Sequence, residues 1–242
     1  MKKVAIVMCG LPRTYKKTNE IFFSNLINSN KKEYIIDVFL GFWDHTHVRG
    51  EGGSRSSIRK INKQEIEDIL NIYSPKKHIV FDDYEDKNKN YFSNIANQLV
   101  LTIGFPRHPD GVSLIKNGVV AQTYGWFKTF SLIDEEYDIV VKSRFDIVME
   151  NINFNNFKIG EFNCAGPRHQ FPQYGLADAL FGSDQSTMQE IMVNFHNDII
   201  DSKIPNISNL YPNVFAEYIL KDLLYRKKIS VNYLNKKVEI VR

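Results

Sequence analysis

Only two cysteines, Cys9 and Cys164, occur in 242 residues. They are too few and too far apart for a disulfide framework or a close-spaced metal knuckle, and this usage suits a reducing compartment. No stretch approaches the roughly 18 uninterrupted apolar residues of a membrane span. A large charge imbalance is missing too: 31 Lys and Arg against 28 Asp and Glu leave a formal net charge of +3. That balance offers no long-range pull towards nucleic acid or an acidic membrane. The sequence contains no G-x-x-x-x-G-K-[ST] phosphate loop, no G-x-G-x-x-G and no G-x-S-x-G nucleophile elbow. Internal repeats and low-complexity segments are also absent. The opening MKKVAIVMCGLPRTYKK starts like a leader, but its apolar run is short and no small-residue cleavage site precedes the next cations, so it reads as a first strand. The expected location is the cytoplasm, with peripheral membrane contact left open.

Hydrophobic residues make up 43% of the chain, enough for a sizeable core, and one domain over 1–242 is expected. Apolar, β-branched runs at 4–9, 34–43, 78–83 and 162–167 read as strands, as do the short closing segments ISVNYL and KVEIV. Helical spacing follows the first turn and recurs in NKQEIEDILNIYSP, where Asn62 and Glu65 form a capping pair. It recurs again at about 91–103, at 119–134, along Met188 to Ile199, and at about 213–226. RGEGGSRSSIRK (49–60) reads as a flexible basic loop, GFPRHPDGVSLIKNG (104–118) as a long binding loop, and RHQFPQYGLADALFG as irregular. Strands alternating with helices predict an α/β/α sandwich with a largely parallel sheet. Ligands then sit beyond the carboxyl ends of the strands, in a crevice formed after positions 9, 43, 82 and 146.

The segment YDIVVKSRFDIVME (137–150) starts as a core strand and then places Lys142, Arg144 and Asp146 at alternate positions. If the strand persists, the three share a face. They form either a solvated edge or a functional group at the end of a buried strand, with Arg144 and Asp146 able to hold phosphates and a metal. The turn CGLPRTYKKT brings Gly10, Leu11 and Arg13 to a helix start, where backbone N–H groups favour an anion and Arg13 adds a forked donor; a plain surface turn is the alternative. FWDHTH offers Trp43 and Asp44 as a nucleoside platform, or else a polar loop with one packed tryptophan. Its Asp-His-His content is a poor zinc site because adjacent residues rarely converge on one ion. Asp178, among small and apolar residues, reads as a base with a raised pKa, a group orienting a sugar hydroxyl, or a turn residue. Glu217 sits near the start of an apolar helix, in either a dipole-compensating or a ligand role.

Taken in order, these pieces resemble bacterial polysaccharide glycosyltransferases, including the WavE-like lipopolysaccharide synthesis group. The start "sGq.RtF" is similar to MCGLPRTYKKTNEIFFSNLI, "vDvFih.W" to IDVFLGFWD, "YD.vir.RfDl" to YDIVVKSRFDIVM, and "DqfafGs...m" to LADALFGSDQSTM. FAEYILKDLL and VEIVR match a glutamate-bearing helix and a terminal arginine. The resemblance covers nearly the whole chain through short motifs in a specific order. It implies a GT-A-type fold, a nucleoside diphosphate sugar donor and a hydroxyl of a glycan acceptor. Gly10, Leu11, Arg13, Trp43, Asp44, Arg144 and Asp146 would bind the donor, Asp146 would hold manganese or magnesium, and Asp178, Glu217 and Arg144 would act catalytically. The chain has Arg144 where the Asp-x-Asp motif has its first aspartate, so Arg144 would itself neutralise diphosphate charge, leaving Asp146 for a metal or a sugar hydroxyl. Ala179 and Leu180 likewise replace the usual "qf". A sulfotransferase is the alternative enzyme, since GLPRT resembles a phosphosulfate loop, but here it continues into Tyr15-Lys16-Lys17. A non-catalytic nucleotide- or glycan-binding protein is the third reading.

Overall fold

The computed structural model describes residues 1–48, 57–81, 92–98, 119–165, 178–201 and 216–241. In chain order the first elements are β1 (Lys2–Gly10), α1 (Tyr15–Phe22, running on through a π-helical turn at Phe23–Asn28), β2 (Tyr34–Trp43) and the hairpin of β3 (His45–Val48) and β4 (Ser57–Lys60). α2 (Lys63–Tyr73), β5 (Lys77–Phe81), α3 (92–98) and α4 (Ala121–Phe130) lead to β6 (Ile139–Ser143), β7 (Ile147–Met149), β8 (Phe162–Ala165) and β9 (Leu180–Ser183). A helix built from Gln185–Gln189, a π-helical turn at Glu190–Asn194 and Phe195–Ile200 is α5; α6 (Ala216–Arg226), β10 (Val231–Tyr233) and β11 (Val238–Ile240) follow.

Seven strands form the central sheet in the order β10-β8-β9-β6-β1-β2-β5. β1 pairs in parallel with β2 and with β6, β2 with β5, and β8 with β10. β9 runs antiparallel to both its neighbours, β6 and β8. The fold is therefore α/β with a largely parallel sheet, as the alternation of elements predicts.

Period-two alternation along β1 explains the two-sided cover. Ala5, Val7 and Cys9 join one core with Phe39, Trp126 and Phe195, while Val4, Ile6 and Met8 join the other with Phe22, Leu40 and Tyr73. A strand apolar at every position needs helices on both faces. α4 and α5 supply one layer, α1 and α2 the other. The Asn62–Glu65 capping box of α2 is present in both directions, as its spacing predicts.

Several boundaries differ from the sequence reading. The basic loop assigned to 49–60 ends in a strand, since Ser57–Lys60 pairs antiparallel with His45–Val48; 49–56 lie outside the described residues, as do 82–83, 99–118 and 166–177. Leu180–Ser183, taken as irregular, is an interior strand. Four residues including a glycine carry too little local signal, and their pairing partners lie far away in the chain. The charged strand does not run through to Asp146. β6 ends at Ser143, and Arg144-Phe145-Asp146 turn into β7. Because β6 lies between β1 and β9 and is buried along its length, the solvated-edge reading is overturned.

α4 lies close on β2 because Gly41 has no side chain. An added Cβ would sit 2.9 Å from Thr129 Cβ and 3.0 Å from the Phe81 ring. Thr129 is buried and tied by its hydroxyl to the Gly125 carbonyl at 2.6 Å, so it cannot swing aside cheaply. Gly41→Ala is expected to destabilise the protein by about 1–3 kcal/mol, read as a lowered urea midpoint; an unchanged midpoint would show that α4 moves away without cost.

Candidate active site

In a sheet of this kind the ligand crevice opens where the chain leaves one strand for neighbours on opposite sides. Here that point is the carboxyl end of β1, between β2 and β6. A cleft of about 120 Å³ lies there. Cys9 and Gly10 line it from β1, Leu11 and Arg13 from the next turn, Trp43 from β2, Gln122 and Trp126 from α4, and Lys142, Arg144 and Asp146 from the β6–β7 corner. Gly10 has φ +127°, a left-handed backbone open to glycine, which lets β1 turn into α1 at the cleft rim.

The corner is braced from behind. Thr18 of α1 donates its hydroxyl to the Phe145 carbonyl, and the Val241 N–H donates to the Asp146 carbonyl at 2.8 Å. Arg144 donates through Nε and Nη2 to the two oxygens of Asp146 at 2.8 and 2.9 Å, the forked geometry that makes such pairs strong. Arg13 Nε stands 4.0 Å from Asp146 Oδ2, and Arg144 Nη1 stands 3.7 Å from Asp178 Oδ2. Gln122 donates its amide to Asp178 Oδ2, and Lys142 Nζ donates to the Asp178 carbonyl. Asp178 is thus clasped by three residues that line the cleft, without lining it itself.

Burial pushes the Asp178 carboxyl up, but Lys142, Arg144 and the Gln122 amide together outweigh it and hold its pKa below the ordinary value. The direction is opposite to the raised pKa that one of the three sequence readings gave Asp178. Its apolar neighbours in sequence gave no sign of the three donors that fold around it. Burial works against the Arg144 charge as well, yet its hydrogen bonds to Asp146 and the Asp178 charge raise its pKa, so the guanidinium stays charged. Cys9 is pushed up to about 11 by burial, which leaves it a thiol and not a nucleophile.

Each Asp146 oxygen accepts from Arg144, and among the described residues no three His, Cys, Asp or Glu side chains converge.

Gly10, Leu11, Arg13, Trp43, Arg144 and Asp146 are brought to one cleft, in agreement with the predicted crevice. Asp44 is not; its carboxylate is 3.1 Å from Lys60 and 3.5 Å from His45 Nδ1, within the β3–β4 hairpin. Trp43 packs among Phe81, Phe92 and Tyr124 with ring centroids 5.0–6.2 Å away and is 5% exposed, so the packed-tryptophan alternative describes it better than an open platform. Glu217 falls in α6, but its side chain, like Arg242, lies outside the described residues. Gln122 and Trp126 went unnoticed in the sequence. The available signal was a lone amide beside Ala121 and Gly125, small residues one turn apart on an otherwise aromatic helix.

No family model matches the chain, and no curated protein matches it. Among solved structures it is similar to the apo form of mouse xyloside xylosyltransferase 1, at a TM-score of 0.45 and 9% identity, over 96% of this chain and 84% of that one.

Asp178→Asn removes the carboxylate charge from beside buried Lys142 and half-buried Arg144 and is expected to destabilise the protein by about 3–5 kcal/mol near neutral pH. A carboxyl whose folded pKa is depressed contributes stability above its ordinary value and loses it as pH falls through the folded value. The two proteins' urea midpoints should therefore converge in acid, starting near the ordinary 3.8. A gap independent of pH would refute the ionised state.

Proposed function

We propose that the chain is a GT-A-type glycosyltransferase that moves a sugar from a nucleoside diphosphate donor to a hydroxyl of a glycan acceptor, in the synthesis of surface polysaccharide or glycoprotein glycan. One observation carries the reading: Arg13 and Arg144 face a cleft at the switch point of a parallel sheet, beside a helix start and a glycine with φ +127°. The motif order shared with the polysaccharide glycosyltransferases supports it.

The donor's diphosphate would lie against Arg13 and Arg144, whose guanidinium groups offset the charge that grows on the leaving group as the bond to the sugar's anomeric carbon breaks. Asp146 would hold the Arg144 fork in place with one lone pair of each oxygen. A divalent cation, where one is used, would take the remaining lone pairs of Asp146 together with the diphosphate. Asp178 would position Arg144 and Gln122 against the sugar. Glu217 is the candidate base for the acceptor hydroxyl, whose proton must leave as the new glycosidic bond forms. The nucleoside would extend from the cleft past Trp43.

Thermal-shift screening should show stabilisation by a UDP- or GDP-sugar or by the free nucleoside diphosphate, with manganese tested as a separate arm. Arg144→Ala should weaken that binding by roughly 10- to 100-fold, the scale of ~1.5–3 kcal/mol for a hydrogen bond to a charged group. Arg144→Lys, which keeps charge but loses the fork, should fall between. Stabilisation by phosphoadenosine phosphosulfate alone would instead establish the sulfotransferase reading. Nucleotide binding without transfer to any acceptor would leave a binding protein.

A further inference from the structure

Position 142 is the middle of the sheet. Its strand is flanked by β1 and β9, its neighbours Val140 and Val141 are fully buried, and Lys142 itself is 1% exposed. A lysine here has lost its water, and such a loss is costly unless the ammonium is otherwise compensated. Among the described residues its compensation is incomplete. One N–H goes to the Asp178 carbonyl, and the ammonium stands 5.1 Å from the Trp126 ring centroid and 5.2 Å from that of Phe181. Among the described residues no carboxylate stands at ion-pair distance from it, and the Asp178 charge that reaches it from further away is shared with Arg144, which Asp146 also holds. An ammonium has three donors, so two remain for something else. The residue lines the cleft.

We propose that Lys142 is a ligand-binding residue whose ammonium donates to a phosphoryl oxygen at the floor of the cleft, completing a three-cation anion site with Arg13 and Arg144. The assignment rests on the glycosyl-transfer reading for the identity of the ligand, but only on the cleft for its anionic character. It also accounts for a polar residue in a strand that packing alone would make apolar. Burial lowers the pKa of Lys142, and a bound anion acts in the opposite sense, favouring the charged form that binds it.

The alternative is a pin that fixes the Asp178 backbone. The two are separable by binding: both cost stability, because Lys142 also helps hold Asp178 ionised, but only the ligand-binding role predicts loss of pyrophosphate affinity in a chain that still folds. The test uses the whole chain, isothermal titration with inorganic pyrophosphate, UDP and uridine, and thermal melts without ligand. Wild type should bind pyrophosphate. Lys142→Met should fold, melt at or below the wild-type midpoint, weaken pyrophosphate and UDP at least tenfold, and leave uridine within about twofold of wild type. Lys142→Gln is the second variant and should show the same loss of pyrophosphate binding. A lower midpoint with pyrophosphate affinity retained in either variant, failure of both to fold, or no pyrophosphate binding by wild type would overturn the assignment. Should pyrophosphate binding depend on Lys142 while no nucleotide sugar binds, the glycosyl-transfer reading falls and the anion site stands. If a nucleotide sugar binds equally well to Lys142→Met, that reading stands and the assignment falls.

Discussion

Six consecutive residues of β1, Val4 to Cys9, are withdrawn from water, and a strand in that state needs a partner on each edge and cover on each face. β2 and β6 take the edges. Helices α4 and α5 take one face, α1 and α2 the other. Polar groups have no place along such a strand, so it releases them only where it ends, at Gly10. β2 ends at Trp43 on the same side, and β6, which carries Lys142 within it, leaves the sheet there at Ser143. Parallel pairing makes these three ends meet on one side of the sheet, and the cleft is the result.

Within the cleft, charge is arranged unevenly. Arg144 is spoken for twice, by the fork to Asp146 and by Asp178 at 3.7 Å. Such pairing holds a guanidinium in a defined orientation, which is what a group meant to meet a ligand requires. It also means that an incoming anion competes with Asp146 for the same donors. Among the described residues Lys142 has no carboxylate at ion-pair distance, only the Asp178 carbonyl and the more distant Asp178 charge. The site therefore combines a pre-aimed arginine with a less compensated ammonium, the first contributing orientation and the second net charge.

Asp178 illustrates how a side chain's chemistry depends on groups distant in sequence. Its neighbours are Ala177, Ala179 and Leu180, and from them alone the carboxyl should be hard to ionise. Gln122 on α4 and Lys142 and Arg144 at the β6–β7 corner reverse that expectation. A carboxylate held ionised and clasped in this way acts as an acceptor and an anchor, and it shapes the wall of the cleft without forming part of it.

The run VAIVMC and the strand YIIDVFLGFW carry their own explanation: continuous apolar and β-branched residues make buried strands, and their alternation with helical patterns makes a parallel α/β sheet. Asn62 and Glu65 likewise dictate their helix start by local hydrogen bonding. With the rule that ligands gather at carboxyl ends, the sequence determined which turns face the cleft and so brought Arg13 and Arg144 into consideration. Only the tertiary structure decided what those residues do to one another. β9 became a strand through pairing with β6 and β8, contacts that no local window contains. Arg144 met Asp146 because the chain turned after Ser143, where a continuing strand would only have set them on a common face. Lys142 passed from a solvated edge to the buried floor of the cleft because β9 closed over that edge. Burial and charge compensation are long-range quantities, set by which elements pack together, and for that reason the residues of the site were legible while their ionisation and partners were not.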